Sequence, residues 1–377
     1  MNRRQRLTLT LRGEPVDRPA VSFYELNGLD EDHADADPFN IYSHPSWRPL
    51  LELTRDRTDR IPMRGVAFAA IDPDPIEAVA ETETHIRDRS RITVRRVRAG
   101  GRTLTLRTRR DSEVNTVWTE EHLLKDIDDL KAFLKTPPPP AGTGVDISPV
   151  TRAEAELGDA GLVMIDTPDP LCLAASLFDM ATYTIIAMGE QALFRRLLDH
   201  FAPAVLARTE QVARALPGRL WRIYGPEYAA PPFLPPALFR EYVCRYVAPM
   251  IEAIHRTGGY ARIHSHGNLR AILDDIVVMG ADAIDPVEPP PQGDVELSYV
   301  REKYGKDIVL FGNLEIADIE NLPTDRFAEK VKCALDEGTA GDGRGFVLMP
   351  SACPCGRELS SLTLKNYEKI VELIEAF

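Results

Sequence analysis

Short apolar runs alternate with longer amphipathic segments along the part of the chain that follows residue 145. Short strands that alternate with helices are typical of βα units, which build a parallel sheet. One or two strands precede this region, and the first runs from Ala20 to Tyr24. The count therefore predicts an α/β fold, an eight-stranded (β/α)8 TIM barrel. The six later strands are residues 161–165, 220–224, 260–263, a strand that begins at 283, 308–311 and 345–349.

The same pattern predicts the helices. Within residues 1–18 a short helix is closed by Gly13, and residues 119–135 also read as a helix. Residues 25–60 show no clean periodicity and predict no regular element. No G-x-G-x-x-G motif follows a predicted strand, so the sequence lacks the fingerprint of an open dinucleotide-binding sheet. The later helices follow the strand at 161–165 up to about residue 216, and then occupy 236–257, 269–279, 295–304, 324–337 and 361–376.

One region departs from the βα pattern. Residues 92–98 and 103–107 alternate apolar and polar side chains around Gly100 and Gly101, which predicts a β-hairpin. Residues 114–118 supply a third antiparallel strand, and the arginine-rich stretch 86–110 is typical of a solvated hairpin face. We therefore interpret residues 1–377 as one barrel domain with an N-terminal extension and a β-hairpin or meander insertion at 85–118.

Composition narrows the class of protein. Apolar residues make up 44% of the chain and charged residues 27%, both ordinary for a globular protein, and no apolar run is long enough for a transmembrane helix. The first residues lack the apolar core of a signal peptide, and five scattered cysteines do not form a disulfide framework, so we expect a cytoplasmic protein. The net charge of −13 argues against nucleic-acid binding.

Polar side chains follow every predicted strand after residue 145. Active sites of βα barrels lie at the carboxyl ends of the strands, so these side chains are expected to lie close together. His264 and His266 follow one strand and Cys353 follows another, and two imidazoles with one thiolate suit a zinc ion that keeps one open position. The other strand-end residues are Asp166 and Asp169, Tyr224 and Glu227, Asp285, Asn313 and, at the first strand, Tyr24.

Several of these residues have simpler explanations. Asp166 and Asp169 could cap the following helix, and Asp285 stands before a proline, where a turn or a cap is common. Cys355 is either a second thiolate or a small loop residue. Glu227 precedes Tyr-Ala-Ala-Pro-Pro, a poor start for a helix, so capping is a weaker explanation there.

Two motifs resemble a known superfamily, that of uroporphyrinogen decarboxylase and the corrinoid-linked methyltransferases. Residues 11–19, LRGEPVDRP, are similar to its opening GE-x-x-DRPP stretch. His264-Ser265-His266-Gly267-Asn268 resembles the zinc motif HxCGN of the methyltransferase branch, with His266 in place of the cysteine, and Cys353 matches the downstream zinc cysteine. The resemblance implies a (β/α)8 barrel, a zinc ion held by His264, His266 and Cys353, and a homodimer.

The resemblance also implies a reaction. We expect a zinc-dependent methyltransferase, or demethylase, that passes a methyl group between a small methylated substrate and a corrinoid (cobalamin) carried by a separate protein. Glu227, Asp166 or Asp169 would supply a fourth ligand or a general acid. The substrate would contact Asp285 and Asn313 together with Tyr24 and Tyr224. Replacing a thiolate by an imidazole makes the site less negative by one charge and the zinc a stronger Lewis acid, which favours polarisation of an ether, a hydroxyl or water.

Three alternatives stay open. A zinc hydrolase or lyase could use Glu227 as the base for a zinc-bound water. A corrinoid- or small-molecule-binding protein without chemistry is the second alternative. The third is a porphyrinogen decarboxylase, which the sequence disfavours because Tyr24-Glu25-Leu26-Asn27 stands where those enzymes carry an arginine-rich loop.

Overall fold

The computed structural model describes residues 1–69 and 74–377. Its largest sheet has eight strands in the order β1-β14-β13-β12-β11-β10-β9-β2, and every pairing in it is parallel. This curved sheet with helices around it confirms the predicted α/β barrel. The strands of the described residues are β1 (Ala20–Val21), β2 (Met63–Arg64), β3 (Ala67–Ala69), β4 (Ala80–Arg87), β5 (Ser90–Ala99), β6 (Arg102–Asp111), β7 (Val117–Glu121), β8 (Thr143–Asp146), β9 (Met164–Pro168), β10 (Leu220–Tyr224), β11 (Tyr260–His264), β12 (Ala283–Asp285), β13 (Val309–Leu314) and β14 (Phe346–Pro350).

The predicted helices after residue 160 are present, although the long helical stretch that follows β9 divides into three helices and the helix predicted over 236–257 is divided into α8 and α9. Helices α2, α4 and α12 were not predicted. No helix of the described residues is long and apolar enough to cross a bilayer. The described helices are α1 (Arg3–Arg12), α2 (Arg48–Arg57), α3 (Ile127–Phe133), α4 (Ser148–Leu157), α5 (Pro170–Ala175), α6 (Met180–Gly189), α7 (Gln191–Ala215), α8 (Pro236–Phe239), α9 (Arg245–His255), α10 (Leu273–Val278), α11 (Leu297–Tyr304), α12 (Ile316–Asn321), α13 (Thr324–Thr339) and α14 (Ser361–Glu375).

Gly13 closes the first helix as predicted, whereas another predicted helix is shorter than expected. The first helix ends at Arg12 because Gly13 adopts the left-handed conformation, with φ of 70°. The second was predicted over 119–135, but its first residues belong to β7, and α3 begins only after Asp126. The Asp126 side chain accepts a hydrogen bond from the backbone N–H of Asp129, so a local cap sets this boundary.

A buried aspartate joins the two outer strands of the barrel sheet. Strands β1 and β2 share no ladder among the described residues, but the Asp59 backbone N–H donates to the Val21 carbonyl at 2.7 Å. The Val21 N–H donates in turn to the Asp59 carboxylate at 2.9 Å. Arg6 and Arg18 pair with the same carboxylate, at 2.5 and 3.2 Å. Asp59 therefore replaces the missing strand pairing at the seam of the barrel.

The insertion is a four-stranded antiparallel sheet, β4-β5-β6-β7, which is one strand larger than predicted. Strand β4 was missed because nearly all of its side chains are exposed, so no apolar alternation marks it. The arginines of this sheet pair with neighbouring glutamates, as Arg96 does with Glu83 at 3.3 Å and Arg107 does with Glu120 at 2.9 Å. This agrees with the predicted solvated face.

The barrel interior is apolar at its base and charged near its mouth. Leu7 and Leu11 of α1 close the base and belong to the same apolar cluster as Met164, Leu220 and Phe311. Because side chains alternate along a strand, the next inward positions on β9, β10 and β11 are Asp166, Arg222 and Arg262, which are direct register partners. The inward layer above them contains Tyr224, His264 and Asp285.

Candidate active site at the barrel mouth

His264 ends β11 and is held by a fully buried carboxylate. Its Nδ1 lies 2.8 Å from Asp285 Oδ2 on the neighbouring strand β12. Burial alone would raise the pKa of Asp285, but the charges of Arg262 and His264 outweigh burial and lower it to about 2. An ionised carboxylate only accepts hydrogen bonds, so His264 donates through Nδ1, and in the neutral imidazole Nε2 is left for another partner.

His266, two residues further along the chain, is held by a carboxylate in the same way. Its Nδ1 lies 2.8 Å from Glu288 Oε1, while Glu288 Oε2 accepts the Gly267 N–H at 2.9 Å. Burial opposes protonation of His266, but the hydrogen bond and charge of Glu288 outweigh it and raise the pKa of His266. The two imidazole centroids are 4.7 Å apart with their planes at 89°. The structure thus brings the two predicted ligands together.

The pair of histidines fits a metal site, whereas Cys353 has another partner. Metal-binding histidines usually donate their second nitrogen to a carboxylate or carbonyl, as both do here. The Cys353 thiol lies 3.3 Å from Glu25 Oε2, and burial together with the Glu25 charge raises the pKa of this thiol. Over residues 1–69 and 74–377, no group of three or more His, Cys, Asp or Glu side chains is close enough to hold a metal ion. The zinc site stays a prediction, which would require the Cys353 thiol to leave Glu25.

Two buried arginines that the sequence analysis did not single out lie directly below the histidines. Arg222 pairs with both oxygens of Asp166, at 2.7 and 3.2 Å, and donates to the Tyr24 hydroxyl. The side chain of Arg262 is 1% exposed, and its Nε lies 2.9 Å from Asp285 Oδ1. The inward alternation of β10 and β11 was the available signal, because it places both arginines on the same face as His264.

These arginines define the surroundings of three predicted site residues. Asp166 is engaged in the ion pair with Arg222, and Asp285 lies between Arg262 and His264 with no exposed surface. Tyr24 stacks on His264, with ring centroids 5.7 Å apart and an angle of 15°. Asp285 thus positions His264, and Tyr24 forms a wall beside it.

Asp169 and Glu227 form a second carboxyl pair at the ends of β9 and β10. Asp169 Oδ1 caps α5 by accepting the Cys172 N–H at 2.6 Å, so the capping alternative is confirmed for this residue. Its Oδ2 is buried without a partner among the described residues, and burial together with the Glu227 charge holds the pKa of Asp169 well above its usual range. Glu227 Oε2 accepts the Gly225 N–H at 3.0 Å. Gly225 has φ of 119°, and a Cβ there would lie 2.3 Å from Asp169 Oδ1, which requires glycine.

The remaining predicted residues line the mouth. Asn313 lies near the end of β13 and is 9% exposed. Tyr224 lies at the end of β10, with its ring centroid 5.1 Å from the Arg222 guanidinium carbon, and burial raises the pKa of its hydroxyl to about 12. The sequence analysis also missed Glu315, which directly follows β13 and is buried.

Comparisons with solved structures concern the fold. A methyltransferase from Methanosarcina mazei aligns over 100% of this chain and 99% of its own, with 15% identity and a TM-score of 0.61, which shows a shared fold. D-psicose 3-epimerase from Clostridium cellulolyticum H10 aligns over 61% of this chain and 83% of its own, with 10% identity and a TM-score of only 0.36. A comparison of this sequence with curated proteins finds no match. The family model described as uroporphyrinogen decarboxylase (URO-D) matches residues 115–372, more than half of the sequence, and the chain therefore belongs to the uroporphyrinogen decarboxylase (URO-D) family.

Proposed function

We propose that this protein is a zinc-dependent methyltransferase that demethylates a small substrate and works with a corrinoid on a separate protein. One observation carries the proposal. His264 and His266 are adjacent, and each has its Nδ1 held by a carboxylate, so in the neutral imidazoles both Nε2 atoms would be available to a metal. Cys353 would be the third ligand after its thiol leaves Glu25. A zinc ion bound there would supply Lewis-acid activation of the substrate.

The chain's own residues would prepare the site. Asp285 and Glu288 fix the tautomers and the ring orientations of the two histidines, and Tyr24 restricts the His264 ring from one face. Glu227 has one carboxylate oxygen on the Gly225 N–H, and its Oε1 has no hydrogen-bond partner among the described residues, so it is suited to hold or move a proton near the substrate. Asn313 and Tyr224 would contact the substrate at the rim.

The charge pattern favours methyl transfer over porphyrinogen decarboxylation. A substrate with several carboxylates requires free cationic side chains. The two arginines inside the barrel are instead paired with Asp166 and Asp285. The carboxylates of Glu25, Glu227 and Glu288 lie around them, at the ends of the strands. Membership of the family alone is compatible with either reaction.

A zinc-dependent hydrolase or lyase is the second candidate. The free oxygen of Glu227 favours it, because a carboxylate near a metal-bound water can act as general base. Turnover without any corrinoid would support this candidate over methyl transfer. The homodimer and the cytoplasmic location stay predictions.

Metal content tests the zinc proposal. We expect about one zinc per chain in the purified protein by mass spectrometry, because two imidazoles and one thiolate form a catalytic zinc set. His264→Ala and Cys353→Ser should lose most of this zinc, and the matched control Cys333→Ser should keep it, since Cys333 is an exposed residue of α13. An absence of zinc in the wild type after reconstitution would contradict the metal assignment.

Methyl transfer is tested separately. Zinc-loaded protein should demethylate a methylated substrate only when a reduced corrinoid acceptor is present, which the absorbance change of the corrinoid reports. Glu227→Gln should slow this step about 10²-fold or more if Glu227 moves the proton. Equal substrate loss with and without corrinoid would favour the hydrolase or lyase.

A further inference from the structure

Strand β4 is an edge strand of the insertion sheet, and its outer edge is open to solvent. It pairs with β5 on one side, and no other strand of the described residues pairs with it. Every residue from 81 to 87 is exposed. The strand contains no proline, and its register with β5 runs without a bulge, so two common devices that block an edge are missing. An edge of this kind is a template for another strand.

The turn after β4 determines which backbone groups point outward. Arg87 and Ser90 are register partners, and the two residues between them, Asp88 and Arg89, have φ of 49° and 64°, as in a type I′ hairpin turn. Residues that flank such a turn bond to each other, and bonded positions alternate along an antiparallel ladder. The odd-numbered residues of β4 therefore bond to β5. The exposed residues whose backbone N–H and C=O point away from β5 are Thr82, Thr84 and Ile86.

The side chains of β4 are complementary to a second copy of the same strand. In an antiparallel pair with its two-fold axis at Thr84, Glu81 lies opposite Arg87 of the second copy, and Glu83 lies opposite His85. Symmetry makes each pair occur twice. Charged side chains usually protect an edge because like charges would meet there, but in this register opposite charges meet. The charge pattern therefore favours a second copy of this chain as the partner.

The same register satisfies the outward backbone groups. Thr84 faces Thr84 of the second copy, and Thr82 faces Ile86, so outward groups meet at each of these positions and exchange about six backbone hydrogen bonds. The four strands of each insertion sheet would then form one continuous sheet. We propose that two copies of this chain associate through β4, antiparallel about Thr84. This interface does not depend on the proposed methyltransferase activity.

The ion pairs within one copy leave these charges accessible. Arg87 pairs with Asp88 at 3.2 Å, and Glu83 pairs with Arg96 of β5 at 3.3 Å. The side chains of Arg87 and Glu83 are 79% and 68% exposed. Exposed ion pairs contribute little to stability, so they do not prevent contact with a second copy.

Sedimentation equilibrium of the full chain over a range of concentrations tests the proposal. We expect a monomer–dimer equilibrium with a Kd on the order of 10 μM, because one pair of short strands forms a small interface. Thr84→Pro should weaken the dimer at least about tenfold, because it removes the outward N–H at the two-fold axis. Thr84→Ala is the matched control: it also removes the hydroxyl contact with Thr93, but it retains the N–H and should retain the dimer.

A charge exchange tests the register. Arg87→Glu should weaken the dimer at least about tenfold, because it places a carboxylate opposite Glu81 of the second copy at two symmetric positions. Adding Glu81→Arg to that variant should restore dimerisation. Arg48→Glu is the control, since Arg48 forms an exposed ion pair on α2, outside the insertion sheet.

Three outcomes would overturn the β4 interface. The first is a monomer at concentrations about 100-fold above the expected Kd. The second is a dimer that Thr84→Pro leaves unchanged, which would place the contact on another surface. The third is a charge exchange that does not restore the dimer lost in Arg87→Glu. If circular dichroism shows that Thr84→Pro does not fold, the charge exchange decides.

Discussion

The histidine side and the cysteine side of the candidate site are supported in different ways. His264 belongs to a barrel strand, and its carboxylate partner Asp285 lies on the adjacent strand and is fully buried. Cys353 lies on the loop after β14. Its partner Glu25 lies on the loop after β1 and adopts the left-handed backbone conformation, with φ of 62°. Strand register fixes the first contact, whereas two loops determine the second. We therefore expect His264 to be preorganised and the thiol to be the part that rearranges.

The largest effect should come from Asp285→Asn on the histidine side. The substitution leaves the buried Arg262 without its counter-charge, and breaking a buried pair in this way costs about 3–5 kcal/mol of unfolding free energy. Urea unfolding monitored by circular dichroism measures this difference. Glu288→Gln is the matched control, because it removes a partly exposed pair and should cost only about 1 kcal/mol. A loss below about 1 kcal/mol for Asp285→Asn would remove the contrast between the two sides.

The strand-end histidines could be predicted from sequence because the strand that carries them is a clear apolar run, and barrel geometry then gathers the strand ends. Arg222 and Arg262 were missed although each stands two residues before a strand-end residue of the same face, because a strand buried on both faces gives a nearly continuous apolar run in which a single charged residue does not by itself show that it points inward. The contact between Cys353 and Glu25 could not be predicted, since loop conformations follow no periodicity. Strand β4 was missed for the opposite reason, because almost none of it is buried.

The cysteine side should respond to Glu25→Gln by a change in thiol reactivity. The Glu25 charge contributes to the raised pKa of Cys353, so its removal should lower that pKa and increase the thiolate fraction. In metal-free protein with a Cys355→Ser background, we expect iodoacetamide to modify Cys353 several-fold faster, as measured by mass spectrometry of the peptide. The exposed Cys333 is the internal control and should react at an unchanged rate. Equal Cys353 rates would mean that burial alone controls this thiol.

In the metal-free protein, His266 should titrate above the usual pH of a histidine, because Glu288 raises its pKa. The contribution of this group to stability is fully present below about pH 6.5, the pKa of an unfolded histidine, and is lost as pH rises through the higher folded pKa. Imidazole NMR chemical shifts measure the titration, and Glu288→Gln should move the midpoint to lower pH. An unchanged midpoint in that variant would show that Glu288 does not set the charge of His266.

The smallest effect, at acidic pH, should come from Asp169→Asn. Burial and the Glu227 charge raise the pKa of Asp169 well above its usual range, so below about pH 4 the carboxyl group is protonated in the folded protein and exchange for a neutral amide of the same size removes no charge. Asparagine also caps helices about as well as aspartate, and its side-chain oxygen can accept the Cys172 N–H. We expect the free energy of unfolding below about pH 4, the pKa of an unfolded aspartate, to change by less than about 1 kcal/mol. Because the folded pKa of Asp169 is raised, the wild type should lose stability relative to the variant as pH rises above the unfolded pKa and through the folded one, so the variant should be the more stable protein near pH 7. A large loss in Asp169→Asn at pH 7 would instead mean that Asp169 is ionised in the folded protein and that its charge stabilises this end of the barrel.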